Sequence, residues 1–234
     1  ARISQELVLG VGGVRALRAM GIRPSVWHMN EGHSAFMILE RISQRVEAGS
    51  DFESAVAAVR ASTVFTTHTP VAAGNEIFEE SLVDTYLSSY QERMGITKEA
   101  FMALAEIQGV SGRMFSLSKL ALRSSGMRNG VSVRHARVSR RMWHDLWPQK
   151  ALADVPIQHI TNGVHVESWL SPSIGLLFCR YLGEDWREHI DDGEIWQRVY
   201  SIPDDELWKV HCYLKLKLSN FLRARDVARG GELM

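Results

Sequence analysis

Between residues 3 and 160 the chain switches repeatedly between helical spacing and short apolar runs, and that alternation restricts it to one architecture. Ile3, Leu7, Val11, Val14 and Leu17 recur at helical spacing through residues 3–20, and Gly21 with Pro24 closes the segment. A strand is expected over 25–29, running into a helix over 31–46. Asp51 can cap the next helix, whose apolar face is Phe52, Ala55, Val56 and Val59. A second strand over 63–66 precedes a Gly-Asn turn and helices over 77–93 and 98–107. A short strand over 129–133, a helix over 135–146 and an apolar strand over 157–160 complete the series. Such alternation predicts an α/β fold, a parallel sheet covered by helices. From 172 onward the pattern is helical: 172–181, 193–200 and 204–225, the last with Leu207, Val210, Leu214, Leu218 and Phe221 on one face.

Composition supports such a core: 234 residues, 45% hydrophobic. Charge excludes a dedicated nucleic-acid surface, because 27 basic side chains meet 27 acidic ones. Cys179 and Cys212 are too few for a disulfide framework and lack metal-ligand spacing, which fits a cytoplasmic setting. No apolar run reaches the roughly 18 residues of a membrane span, and the start has no signal-peptide pattern. The chain opens inside a helix without an initiator methionine, so it is expected to be part of something longer.

In open parallel sheets ligands bind beyond the carboxyl ends of the strands. Three predicted strand ends carry polar residues there: Asn30-Glu31-Gly32-His33, Thr67-His68-Thr69 and Thr161-Asn162-Gly163-Val164-His165. Singly, each has a plain explanation. Asn30 can cap a helix whose first turn holds Glu31 and His33; His68 can be a satisfied core histidine; Asn162-Gly163 can be a tight turn. Their recurrence at three strand ends points instead to one crevice. His28, His33, His68 and His165 do not form an H-E-x-x-H pair, so no metal site is expected. There is no G-x-S-x-G elbow, and the glycines of LGVGG lie inside a helix rather than after a strand. The basic run over 134–141 is a solvated helix face, and Trp143 and Trp147 fit packing.

Five blocks carry a wider resemblance: RISQELVLGVGGVRAL (2–17), VWHMNEGHSAF (26–36), TVFTTHTPVAAGNE (63–76), NGVSVRHARVSRRMW (129–143) and ITNGVHVESWL (160–170). In this order they resemble the α-glucan (glycogen/maltodextrin) phosphorylases, most closely the short bacterial and archaeal type. The resemblance implies a GT-B arrangement of two Rossmann-like domains, of which this chain would be an interior portion. Residues 1–162 would be the later part of the N-terminal domain, and 163–234 the crossover and helical start of the C-terminal domain. The implied reaction moves the terminal α-1,4-glucosyl unit of a glucan onto inorganic phosphate, giving glucose 1-phosphate with retention. The family uses pyridoxal 5′-phosphate, whose phosphate group is an acid–base partner of the substrate phosphate. By position, His68 and Asn162 would bind the transferred glucose, Glu31 and His33 would shape the cleft wall, and Trp169 would lie beside the cofactor. No catalytic residue is carried over to this chain.

Some features depart from the family pattern. Lys98, Lys119, Lys150, Lys209, Lys215 and Lys217 lie outside the glycine-rich context of the family's Schiff-base lysine, and the glycine-rich phosphate loop is missing. The isolated chain is therefore expected to be inactive. VHVESW replaces a more basic run of the longer animal-type enzymes, and Ala72 stands where close relatives tend to have proline. Two other readings stay open: a nucleotide-sugar GT-B glucosyltransferase resembling glycogen synthase, and a non-catalytic glucan-binding fragment. Half a sheet would leave strand edges and apolar surface unpaired, so association into a homo-oligomer is expected.

Overall fold

The computed structural model describes residues 2–71, 74–109 and 112–228, so Ala72 lies outside the described residues. The chain divides into two compact units, Ala1–Asn162 and Gly163–Met234.

In the first unit, α1 (Arg2–Leu7) and α2 (Gly13–Ala19) are joined by one π-helical turn, Val8–Gly12, where a single helix was expected. Gly10 in that turn has no room for a side chain. A Cβ there would meet Met37 N at 2.8 Å and Ser34 O at 2.9 Å, so backbone packs directly on backbone. Next come β1 (Trp27–Asn30), α3 (Met37–Glu47), α4 (Phe52–Ala61) and β2 (Thr63–Thr67). Asp51 caps α4 as expected, accepting from Ser54 N at 2.9 Å. β3 (Ile77–Glu79), α5 (Glu80–Met94), α6 (Lys98–Ala103), β4 (Glu106–Gly109), β5 (Gly112–Ser116) and α7 (Leu117–Arg123) follow. Last are β6 (Met127–Gly130), α8 (Val133–Met142) and β7 (Gln158–His159).

β1, β2, β6 and β7 form a parallel sheet in that order. The alternation of the sequence therefore yields the α/β fold it predicts. Each of the four expected strands shifts by one to three residues at one or both ends. The third strand is Met127–Gly130 rather than 129–133, because Ser132 accepts from His135 N at 3.0 Å and caps α8 instead. The segments 77–79 and 106–109, of which 77–79 and 106–107 were expected within helices, are strands of a separate antiparallel sheet ordered β3-β5-β4. Met29, Phe36, Ile38, Leu39, Ile42, Phe65, Leu87, Phe101 and Phe115 are fully or almost fully buried in one core. Trp143 joins that core, and Trp147 packs against it, as the packing explanation of this pair requires.

The second unit is helical among its described residues: α9 (Val166–Trp169), α10 (Pro172–Leu182), α11 (Gly193–Gln197) and α12 (Asp204–Ala228). Its core is Leu177, Leu182, Trp186, Ile195 and Ile202, with Phe178, Trp186 and Trp196 meeting edge to face at 5.5–6.0 Å. Trp208, Tyr213, Phe221 and Leu222 on α12 are exposed. No helix among the described residues is long and apolar enough to cross a membrane.

One buried charge ties three helices of the first unit together. Glu40 on α3 accepts from Nε and Nη2 of Arg15 at 2.9 and 3.0 Å, from the Tyr90 hydroxyl at 2.5 Å and from Arg93 at 3.3 Å. Burial alone would raise its pKa, but hydrogen bonds from Arg15, Tyr90 and Gln44 outweigh it and hold the carboxyl at about 2. Depression of this kind stabilises the fold fully above pH 4.5, and the contribution fades as pH falls toward 2. Glu40→Ala should cost about 3 kcal/mol in urea unfolding at pH 7 and should flatten the acid limb of stability below pH 4.5. A loss under about 0.5 kcal/mol would show that the cluster does not bind the helices together.

Candidate functional site

The carboxyl edge of the parallel sheet is where the polar strand ends meet. β1 runs out at Asn30, and Glu31 turns the chain with φ 72° and ψ 175°. That conformation is close to forbidden for a residue with a Cβ and costs on the order of 1–3 kcal/mol. Among the described residues, Glu31 is the only non-glycine with positive φ. Asn30 is thus the last strand residue, not the expected helix cap, and a short 3-10 turn, Gly32–Ser34, precedes α3.

The strain places the Glu31 carboxylate across the end of β2. One oxygen accepts from the backbone N–H groups of His68 and of Thr69, the latter at 2.8 Å, and from the Thr67 hydroxyl at 3.3 Å. Asn30 Oδ1 accepts from the His68 ring through Nε2. The loop after β2 is therefore held from below by the loop after β1. His68 is exposed. A hydrogen-bonded chain runs just beneath: His28 Nε2 meets Thr66 Oγ1 at 2.8 Å, and that hydroxyl donates to Asn129 Oδ1 at 2.8 Å. It stitches β1, β2 and β6 at one level and fixes His28 with its proton on Nε2.

His33 faces a different set of partners. Its Nδ1 lies 3.1 Å from Glu76 Oε2 and 3.4 Å from Arg2 Nη2, and Arg2 also pairs with Glu76 and with Glu6. Ligand atoms of Glu6, His33 and Glu76 fall within 4.8 Å of one another, a spacing that could hold a metal ion. Arg2 already supplies a cation there. Burial, then a hydrogen bond with Glu76, pushes the Glu6 carboxyl up to about 8, while Glu76 is lowered by its bonds to Glu6, His33 and Arg2 despite burial. Glu6 is therefore the more readily protonated of the two carboxyls. Arg2 and Glu6 share one helical turn, but the cluster escaped the sequence reading because its other members, His33 and Glu76, lie 31 and 74 residues from Arg2. Glu6 did leave a trace: it sits three residues after Ile3, on the buried stripe of α1.

Asn162 follows β7 on the same edge. Ile160 N donates to Gly130 O at 3.0 Å, and Asn162 N to Val131 O at 3.4 Å, which carries the segment past the end of β6. The Asn162 side chain is exposed. Trp169 belongs to the second unit and is 83% exposed; His165 caps its short helix, accepting from Ser168 N at 3.3 Å. The structure thus joins Glu31 to His68 directly, gives His33 its own ionic cluster, and sets Asn162 on the shared edge.

No protein-family model matches the chain. Individual relatives do. A maltodextrin phosphorylase of Thermococcus litoralis is 40% identical over 99% of the chain, and a glycogen phosphorylase of Mycobacterium tuberculosis is 38% identical over 96%. A glycogen phosphorylase of Aquifex aeolicus is 31% identical over 96%. The chain matches a segment of the maltodextrin and glycogen phosphorylase family, of the bacterial and archaeal type. It spans 27% of the length of the first two relatives and 32% of the third.

Glu31 buttresses the loop over 67–69, and Glu31→Ala should release it. His68 and Thr69 amide protons should then exchange roughly 30-fold faster, the equivalent of about 2 kcal/mol for a charged acceptor. Unchanged exchange would mean that the loop is held by other contacts. The raised Glu6 pKa has the opposite sign from that of Glu40: stability should fall as pH climbs from 4.5 to 8. Glu6→Gln should remove that slope in thermal melts across the same range; a slope that persists would assign it to another group.

Proposed function

We propose that the carboxyl edge of the parallel sheet is one wall of a glucosyl-binding site, and that the chain is part of an α-glucan phosphorylase of GT-B type. Residues 1–162 form the later part of its N-terminal Rossmann-like domain, and 163–234 the crossover and start of the C-terminal one. The reaction transfers the terminal α-1,4-glucosyl unit of glycogen or maltodextrin to inorganic phosphate, releasing glucose 1-phosphate with retention. The observation that carries this reading is the Glu31 clamp: a strained residue holds the backbone of His68 and Thr69 at the place where an α/β sheet binds ligands. The likeness to a maltodextrin and a glycogen phosphorylase supports the substrate class.

Sugar hydroxyls require fixed donors and acceptors, and this edge offers both. The His68 carbonyl accepts from one hydroxyl, with its peptide held by Glu31. The Asn162 amide both donates and accepts at the same sugar. His33, half-exposed and backed by Glu76, presents its ring at the cleft wall. Trp169 offers an open indole face, which suits a flat aromatic group such as the pyridine ring of pyridoxal 5′-phosphate. When bound, that cofactor supplies a phosphate that exchanges a proton with the substrate phosphate. None of the lysines in this chain has the context of the cofactor lysine, so the segment by itself does not catalyse phosphorolysis.

A chimera tests the proposal. This segment replaces its 40% identical counterpart in the Thermococcus litoralis maltodextrin phosphorylase. Glucose 1-phosphate should form from maltodextrin and phosphate, and Asn162→Ala should lower kcat/KM by about tenfold, the scale of one hydrogen bond to a hydroxyl. Glucan extension from a nucleotide sugar, without phosphorolysis, would overturn the reading in favour of a glycogen-synthase-like transferase.

A further inference from the structure

At the opposite end of the sheet, the amino ends of β1 and β2 open onto a hollow of about 400 Å³. Its lining includes four arginines, Arg18, Arg23, Arg41 and Arg45, together with Trp27 and Ser62, and no acidic side chain. Arg41 is the unusual member. It is 5% exposed, yet its partners are neutral: Thr63 Oγ1 and Ser62 Oγ, each accepting at 2.6 Å, and the Trp27 ring 4.9 Å from the guanidinium carbon. Both hydroxyls spend their own protons on carbonyls at the end of α4, those of Val59 and Ala58. Among the described residues, no carboxylate pairs with Arg18, Arg23, Arg41 or Arg45.

A guanidinium buried without a counter-ion is costly, and like charges nearby add to the cost. Burial, then repulsion from Arg45 and Arg18, pushes the Arg41 pKa down to about 10. The contrast with its neighbour is direct, since Glu40 one residue earlier is satisfied by Arg15 and Arg93. Arg45 follows Arg41 by one turn of α3, so both reach the same side of that helix. Hydroxyls use two of the five guanidinium N–H donors of Arg41, which leaves others for an acceptor in the hollow. A fork of N–H donors with further arginines around it matches the geometry and charge of a phosphate dianion.

We propose that this hollow binds a phosphate group, with Arg41 as its floor and Arg18 and Arg45 closing on the anion from the rim. The five-residue strand β2 separates it from the carboxyl-edge site by roughly 13 Å, at about 3.3 Å per residue step. A phosphate bound here is a second, non-reacting ligand, and its charge makes good the missing counter-ion of Arg41. The assignment stands independently of the phosphorylase reading.

Calorimetric titration of the purified chain at constant ionic strength tests it, using inorganic phosphate and methyl phosphate as probes. One saturable site is expected, with Kd below about 1 mM. Arg41→Met carries a folding risk, so the decisive variants are the exposed Arg18→Ala and Arg45→Ala. Each should weaken binding about tenfold, while Glu31→Ala at the other edge should leave it unchanged. Methyl phosphate binding as well as phosphate identifies a monoester ligand, and phosphate binding alone identifies the free anion; either supports the site. Absence of saturation up to about 10 mM, or equal binding by the Arg18→Ala/Arg45→Ala double variant, overturns it.

Discussion

The first unit is organised around the Glu40 carboxylate, a single negative charge on α3 that serves α2 and α5 at once. Its value is mainly positional. Burying an ion is expensive, and a carboxylate completed by two arginines and a tyrosine is specific about where those three groups sit. α3 is thereby fixed in rotation, with two consequences at opposite ends of the sheet. Its N-terminal approach, through the Gly32–Ser34 turn, sets the angle at which Glu31 reaches β2. Its next residue, Arg41, is committed to the amino end, where no carboxylate meets it. One helix therefore carries a saturated charge and an unsaturated one in adjacent positions.

Much of this was legible in the sequence. β1 and β2 announce themselves as short apolar runs, and the convergence of strand ends follows from the rule for parallel sheets. β3, β4 and β5 were not legible, for a physical reason. Phe78 is the only buried position of a three-residue strand that runs straight into α5, so it fits helical spacing equally well. Glu106, Gln108 and Arg113 give β4 and β5 a polar pattern, and only pairing across the hairpin makes them strands. β6 was displaced because Arg128 looks like a surface residue. It is buried instead, donating to the Leu122 carbonyl at 2.5 Å and lying 5.3 Å from the Trp147 ring.

The site shows the same division. Which residues stand at strand ends can be counted from a sequence, whereas which of them touch cannot. The plain explanation of Glu31 put it in the first turn of a helix, while the family resemblance put it on the cleft wall. In the structure a single positive φ turns the carboxylate away from the first of these roles and onto the neighbouring loop. His33, two residues later, instead joins Glu76 and Arg2.

The hydrogen bonds that build the carboxyl edge share one property: sequence separation. Thr67 and Thr69 meet Glu31 across 36 and 38 residues, and Thr66 meets Asn129 across 63. Each needs a loop to close before it returns any energy, and parallel pairing offers no hairpin to make that closure local. The helices and the β4–β5 hairpin rest on short-range contacts and can form early. In folding time, then, the carboxyl edge is assembled after the scaffold that supports it, and the strain at Glu31 is taken on only once its partners are in place.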